Sequence, residues 1–219
     1  MKLAIKINWK TEIIPLAVLA ACVASSFYFY QRFPDVVATH WNFRGQPDGY
    51  GGKAFVAFFF PALLSFMYLL FLILPQLDPK RDRYEEFAKT YNIFRHLIIG
   101  MLVVIYLATS FYNLGYDLNI GVITATSVGI MMIVFGNYMA KIRKNWFIGI
   151  RTPWTMSSEN VWNKTHRLGG LLFIIFGAIL IVLPFLPESL ALAIFLSWIV
   201  VFIAGTFGYS WWLYKQEKK

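Results

Sequence analysis

Residues 54–74 read AFVAFFFPALLSFMYLLFLIL, a run without a single charged side chain. At about 1.5 Å per helical residue, roughly 20 apolar residues are enough to cross the hydrocarbon core of a bilayer. Five further uncharged runs of similar length occupy residues 13–30, 97–114, 120–140, 168–186 and 190–213. The sequence therefore predicts an all-α integral membrane protein with six transmembrane helices.

The composition of the whole chain agrees with this prediction. Of 219 residues, 58% are hydrophobic and 14% are charged, whereas soluble domains are roughly 45–50% apolar and about 25% charged. This excludes a disordered chain, and the single cysteine excludes a disulfide scaffold. The apolar runs lack the alternation of barrel strands, which leaves helices as the form that satisfies backbone groups in lipid.

The positions of the basic residues predict the orientation of the chain. Most of the 20 Lys and Arg residues fall at the two termini and in the connections 76–96 and 141–167. The remaining connections carry only Arg32, Arg44 and Lys53. By the positive-inside rule, both termini are cytoplasmic in a multi-pass plasma-membrane protein. The net charge of +9 is then a signal of topology, and no direct binding of nucleic acid is expected.

The six uncharged runs also bear on function. Ionisable residues inside a membrane mark most ion and proton pathways, so their absence disfavours a small-solute transporter. Glycines recur within the runs at Gly129, Gly136, Gly170 and Gly177. Close packing of helices is the simpler explanation for them.

The outer connection, residues 31–53, reads QRFPDVVATHWNFRGQPDGYGGK and is predicted to be structured. Alternation of apolar and polar residues from Val37 to Phe43 favours an extended segment, and the stretch from Gln46 to Gly49 is typical of a turn. His40 then has two readings, as a structural loop residue or as half of a catalytic pair with Asp48. A nucleophilic serine or cysteine is not adjacent, and three histidines on two faces of the membrane predict no metal site and no cofactor.

The inner connection, residues 141–167, reads KIRKNWFIGIRTPWTMSSENVWNKTHR. Gly149 and Pro153 favour an ordered extended turn, and a helix is predicted to restart after Ser157 or Ser158. Trp162 and His166 are then neighbours on one helical face. Trp146, Trp154 and Trp162 are expected at the level of the lipid headgroups. Two readings remain for this loop, a clamp that orients the last helices or a surface that binds a partner.

The segment Gly136–Gly170, with GIRTPWT followed by VWNKTHR, strongly resembles the signature of the SdpI family. The segment Phe33–Tyr50, FPDVVATHWNFRGQPDGY, resembles the domain of unknown function that commonly precedes it. Together they divide the chain into an N-terminal two-helix unit, residues 1–96, and a C-terminal four-helix unit, residues 97–219.

Members of that family are bacterial membrane immunity proteins against the sporulation-delaying toxin. The resemblance implies a non-enzymatic protein of a Gram-positive plasma membrane, whose partners are membrane lipid and a secreted antimicrobial peptide. In the best-known branch it also implies signalling, in which the toxin-bound protein holds a cytoplasmic winged-helix repressor at the membrane.

Matching the motifs residue by residue gives two groups of candidate site residues. The outer, toxin-sensing candidates are His40, Trp41, Asn42, Gly45 and Asp48. The inner candidates, for structure or repressor capture, are Asn145, Gly149, Arg151, Thr152, Pro153, Trp154, Trp162 and His166. The alternative function is a cell-envelope enzyme or sensor that uses His40 with Asp48, or His166 with Glu159.

Overall fold

The computed structural model describes Ile5 and residues 8–219, and most of these residues are helical. Lys2 and Lys6, which contribute to the charge pattern, lie outside the described residues. The elements are α1 (Trp9–Arg32), β1 (Val36–Trp41), β2 (Pro47–Gly52), α2 (Lys53–Leu77), α3 (Tyr84–Asn113), α4 (Ile120–Met139), α5 (Pro153–Ser157), α6 (Glu159–Val182) and α7 (Glu188–Glu217). Single 3-10 turns at Arg81–Arg83 and Leu183–Phe185 precede α3 and follow α6.

Every helix except α5 is long and apolar enough to cross a membrane, which confirms the six predicted spans. Their ends are set by local capping. The Asn8 side chain accepts a hydrogen bond from the Lys10 amide at the start of α1, and the Ser158 side chain accepts one from Val161 at the start of α6. Ser158 is one of the two caps predicted from the sequence.

The described chain forms two compact units. The hairpin unit contains residues 8–72 together with Arg95–Ser127. The signature unit contains Ile73–Phe94 and Val128–Lys219. Helices α2, α3 and α4 each contribute residues to both units, and the division at residue 96 remains a prediction.

The core of the hairpin unit is built from aromatic and aliphatic side chains of α1, α2, α3 and β1. Phe29 stacks on Phe33 and contacts the ring of Tyr106 edge-on, with centroid distances of 5.6 and 5.8 Å. Val37 of β1 is 2% exposed in the same cluster. Aromatic pairs of this geometry stabilise a core by more than the burial of their surface alone. The cluster therefore fixes the hairpin against the helices.

In the signature unit, α4 and α6 cross with their backbones in contact. A Cβ atom built on Gly136 or Gly170 would lie under 3.0 Å from the carbonyl oxygen of the other residue, and Gly129 and Gly177 form a second pair of the same kind. Such close approach is possible only without side chains, which confirms the packing interpretation of these glycines.

The helices extend beyond the uncharged runs and include charged residues that the runs left out. Glu12 of α1 and Arg95 of α3 are buried and form an ion pair of 2.7 Å. Tyr68 of α2 donates a hydrogen bond of 2.8 Å to the same carboxylate. The six uncharged runs themselves carry no ionisable residue, but the helices that contain them do, because Glu12 precedes the first run and Arg95 precedes the third. Each charge is offset by its partner, which makes its burial tolerable.

Candidate functional site

The outer connection folds as a β-hairpin. Strands β1 and β2 are antiparallel, and the register places Ala38 opposite Tyr50 and His40 opposite Gly49. The turn lies between Asn42 and Gln46, where the Asn42 side chain accepts hydrogen bonds from the amides of Arg44 and Gln46. The predicted turn from Gln46 to Gly49 is therefore wrong, because Asn42 closes the chain earlier and leaves Pro47, Asp48 and Gly49 to β2.

Asn113, at the end of α3, holds the middle of β1. Its side-chain oxygen accepts a hydrogen bond of 2.8 Å from the Ala38 amide, and its side-chain nitrogen donates one of 3.0 Å to the Ala38 carbonyl. The Asn113 amide group thus replaces a neighbouring strand at this edge of the sheet. Sequence reasoning missed this residue, whose one signal is a polar side chain at the end of an apolar run.

Two of the outer candidates pack against neighbouring helices. Trp41 contacts Tyr112 edge-on at 5.5 Å. Gly45 has a φ of +75° in the turn, and a Cβ there would lie under 3.0 Å from the side chain of Asn119, which caps α4. Glycine is therefore required at this position both for conformation and for space. Together with Asn42, these residues set the shape of the hairpin.

The remaining two outer candidates form an exposed pair. The Nδ1 atom of His40 lies 2.5 Å from Oδ1 of Asp48, and the two side chains are 73% and 45% exposed. Among the described residues, no group of three or more His, Cys, Asp or Glu side chains is arranged to hold a metal ion. At the base of the hairpin, the Lys53 ammonium holds the pKa of Asp35 below its usual value.

The outer edge of β2 is open to a partner. Because Ala38 directs its amide and carbonyl to Asn113, Tyr50 opposite it must direct its own amide and carbonyl away from β1. Within the described chain, no hydrogen bond from outside the hairpin reaches the Tyr50 backbone. The flanking residues Gly49, Gly51 and Gly52 present no side chains that cover this edge.

Replacement of Asn113 by alanine is expected to loosen the hairpin while the helices remain folded. Two buried backbone groups of Ala38 would lose their partners, at a cost of about 1–3 kcal/mol each without compensating water. Amide hydrogen exchange in β1 should accelerate strongly. Asn137→Ala is the matched control, because the exposed Asn137 side chain bonds only to the Ile133 carbonyl of its own helix. Equal exchange in both variants would contradict the role assigned to Asn113.

The inner connection is ordered by a buried asparagine. Asn145 is fully buried, and its oxygen accepts hydrogen bonds from the amides of Phe147 and Ile148 at 2.9 and 2.7 Å. Its side-chain nitrogen donates to the carbonyls of Arg143 and Ile148. All four hydrogen-bonding positions of the side chain are thus used to shape one turn.

Gly149, Trp162 and His166 meet directly behind that turn. The rings of Trp162 and His166 stack at 4.0 Å, which confirms that they share a helical face. The Ile150 amide donates to Nε2 of His166, and Nδ1 lies 2.8 Å from the Trp162 carbonyl, so Nδ1 carries the proton. Gly149 has a φ of +115°, and a Cβ there would collide with His166.

Trp162 is fully buried within the protein, and its depth at the headgroup level stays a prediction. Its indole nitrogen donates a hydrogen bond of 2.8 Å to the Ile142 carbonyl. Because that bond satisfies the one polar atom of the ring, Trp162 can lie in the core. Trp146, in contrast, is 50% exposed.

The second half of the motif forms the short helix α5 where an extended turn is predicted. Thr152 is extended, as expected before a proline, and caps α5 through reciprocal hydrogen bonds with Thr155. Pro153 occupies the first turn of the helix, where it costs no hydrogen bond. The Thr152 hydroxyl also donates to Ser210 of α7 at 3.0 Å, and Trp154 contacts Phe207 of the same helix. The motif thereby ties α5 to α7.

Arg151 and one ion pair complete the inner site. The Arg151 guanidinium donates to the Trp146 carbonyl and closes the turn that Asn145 shapes. Glu159 pairs with Arg83 at 2.5 Å. All eight inner candidates therefore lie in the inner connection and the start of α6, where hydrogen bonds and ring contacts order them, whereas Glu159 is directed to Arg83 and is not paired with His166.

Residues 141–211 match the SdpI/YfhL protein family, and residues 17–64 match a domain of unknown function, DUF1648. Immunity protein SdpI of Bacillus subtilis (strain 168) is 27% identical over 207 residues, which cover 94% of this chain and 97% of the relative. No solved structure matches the chain.

These matches confirm the resemblance to the SdpI family stated from the two loop motifs. With six helices that can cross a membrane, they identify a multi-pass plasma-membrane protein, and a Gram-positive source fits the Bacillus relative. Similarity to an immunity protein supports an immunity function in the membrane.

Proposed function

We propose that this chain protects its cell from a secreted antimicrobial peptide and that it binds the peptide at the outer hairpin. The observation that carries the proposal is the similarity of 94% of the chain to an immunity protein, which includes both structured connections. The charge pattern favours a hairpin on the outside of the cell, where a secreted peptide arrives.

The hairpin has the chemistry that a peptide ligand requires. Tyr50, Val36 and Phe43 are 62%, 66% and 45% exposed and offer apolar contacts. The open edge of β2 offers backbone hydrogen bonds, which an extended peptide segment can satisfy by adding a strand. Exposed aromatic residues are the side chains that most often dominate binding energy.

Binding alone is enough to neutralise a toxic peptide. Signalling needs a further step, in which the inner loop changes and a cytoplasmic winged-helix repressor is held at the membrane. A ligand shifts such an equilibrium only if it binds one conformation better than the other. The inner turn built by Asn145, Gly149 and Arg151 is the element that we assign to this second role.

The enzyme alternative has less support. Both ring nitrogens of His166 are occupied by backbone groups, so neither is available to exchange a proton with a substrate. The exposed pair of His40 and Asp48 is the remaining catalytic candidate. A catalytic role predicts that His40→Ala abolishes activity, whereas a binding role predicts a graded loss.

The binding step is testable with the purified chain in lipid nanodiscs and the labelled sporulation-delaying peptide. Saturable binding is expected, and Tyr50→Ala and Phe43→Ala should each weaken it about 5- to 30-fold, as for a loss of 1–2 kcal/mol of contact energy. Trp9→Ala is the matched control, because Trp9 is an aromatic residue, 77% exposed, at the opposite end of α1 from the hairpin. Absence of saturable binding, or an equal loss in the control, would overturn the proposal.

A further inference from the structure

Two lysines are brought together beside the inner turn by a buried aspartate. Asp78 is 2% exposed, and its carboxylate accepts hydrogen bonds from the amide of Lys80 at 2.7 Å and from the amide of Trp146 at 2.9 Å. The hydroxyl of Tyr84 donates to the same carboxylate at 3.0 Å. The segment that carries Lys80 and the segment that carries Lys144 are therefore fixed next to each other.

Two arginines near these lysines are matched by acids. Arg83 pairs with Glu159 at 2.5 Å, and Arg143 pairs with Glu86 at 3.2 Å. Within the part of the chain that the structure describes, no ion pair joins Lys80 or Lys144 to an acid. Glu159 is the carboxylate that acts electrostatically on Lys144. It is already hydrogen-bonded to Arg83.

The two lysines are also partly buried. Burial lowers the pKa of Lys144, the positive charges of Lys80 and Arg83 lower it further, and the Glu159 carboxylate opposes them. Two like charges held near each other in partly buried positions are unfavourable unless an anion joins them. The fold maintains this arrangement through Asp78, which indicates that the charges serve a ligand.

We propose that Lys80 and Lys144 bind the phosphate of an anionic phospholipid. The surroundings favour a lipid as the source of the phosphate, because Leu77 at the end of α2 is 64% exposed and Trp146 is 50% exposed. These side chains provide apolar surface beside the charges, at the point where a membrane-spanning helix ends. Basic pockets between transmembrane helices bind anionic headgroups in the same way.

The site has a consequence for the inner turn. Asp78 bonds the backbone of Trp146, and the carbonyl of Trp146 accepts the hydrogen bond from Arg151. A bound headgroup would therefore stabilise the arrangement in which Asn145 and Arg151 shape the turn. This inference is independent of the peptide that the hairpin binds.

The test uses the full chain purified in detergent, with thermal unfolding and lipid retention in native mass spectrometry as readouts. Phosphatidylglycerol, phosphatidylcholine and inorganic phosphate are added in separate arms. The variants are Lys80→Gln, Lys144→Gln, Lys144→Arg and, as a control with the same loss of charge, Lys164→Gln on the exposed surface of α6. Unfolding in phosphatidylcholine alone shows that each variant is folded.

Phosphatidylglycerol should be retained in preference to phosphatidylcholine. Each of Lys80→Gln and Lys144→Gln should weaken that preference about fivefold, as for the loss of one lysine–headgroup contact. Lys144→Arg and Lys164→Gln should retain the preference for phosphatidylglycerol. The proposal is overturned if the wild type shows no preference, if Lys164→Gln loses as much as the other variants, or if inorganic phosphate stabilises the chain as well as phosphatidylglycerol does.

Discussion

Replacement of Arg95 by leucine is expected to destabilise the protein by about 3–5 kcal/mol, because Glu12 would remain buried without its partner. Arg95 is 3% exposed, and its guanidinium lies 2.7 Å from the Glu12 carboxylate and over the ring of Tyr68 at 5.9 Å. The measurement is the free energy of unfolding in mixed micelles, obtained by titration with denaturant. In cells, we also expect much less folded Arg95→Leu protein than wild type in the membrane.

The double variant Glu12→Leu with Arg95→Leu distinguishes a lost ion pair from lost packing. Because both charges are removed together, most of the stability should return. Arg143→Leu is the matched control, since its side chain is 47% exposed and its pairing with Glu86 should contribute at most about 1 kcal/mol. A double variant as unstable as Arg95→Leu alone would refute the explanation by an unpaired charge.

Substitution of alanine for Gly149 should have the second-largest effect, about 2–4 kcal/mol. At a φ of +115°, a Cβ is strained, and it would also meet Nε2 of His166 and the ring of Trp162. We expect the inner turn to open, with faster proteolysis between residues 141 and 152 and a changed fluorescence of the buried Trp162. Binding of peptide at the hairpin should persist.

Gly208→Ala is the control for this substitution. Gly208 lies in α7, and a Cβ there would meet nothing within 4 Å, so the change should be neutral or slightly stabilising through helix propensity. Similar proteolysis of the two variants would contradict the assigned role of Gly149.

The transmembrane helices were predictable because hydropathy accumulates over about 20 residues and tolerates local error. Their true ends were not. Glu12 and Arg95 each read as the boundary of an apolar run, yet both lie inside helices, because two distant charges neutralise each other only after folding. A pattern that scores residues one at a time contains no information about such a pair.

In the two loops, prediction from the sequence fails for the same reason, because single side-chain contacts decide the structure. The turn signal at Gln46–Gly49 is locally sound, but the Asn42 side chain closes the hairpin four residues earlier. Trp162 carries a polar nitrogen that usually seeks a polar surface, but the Ile142 carbonyl satisfies it within the protein. In both cases a single side-chain hydrogen bond outweighs the tendency of the residue type.

Motif residues were easier to find than their roles. Sequence reasoning brought Asn145, Gly149 and His166 together because they share one segment, and the structure joins them in one assembly. It missed Asn113 and Asp78, which act on partners 75 and 68 residues away. Contacts over such distances follow from the packing of helices and leave no local pattern.

The most direct test of the immunity function is the survival of a toxin-sensitive bacterium that expresses this chain and is challenged with the sporulation-delaying peptide. Wild type and Trp9→Ala should protect, Tyr50→Ala should protect less, and His40→Ala should retain partial protection, with equal amounts of each variant in the membrane. Failure of the correctly inserted wild type to protect would contradict the proposed function, and complete loss with His40→Ala alone would favour the enzyme alternative.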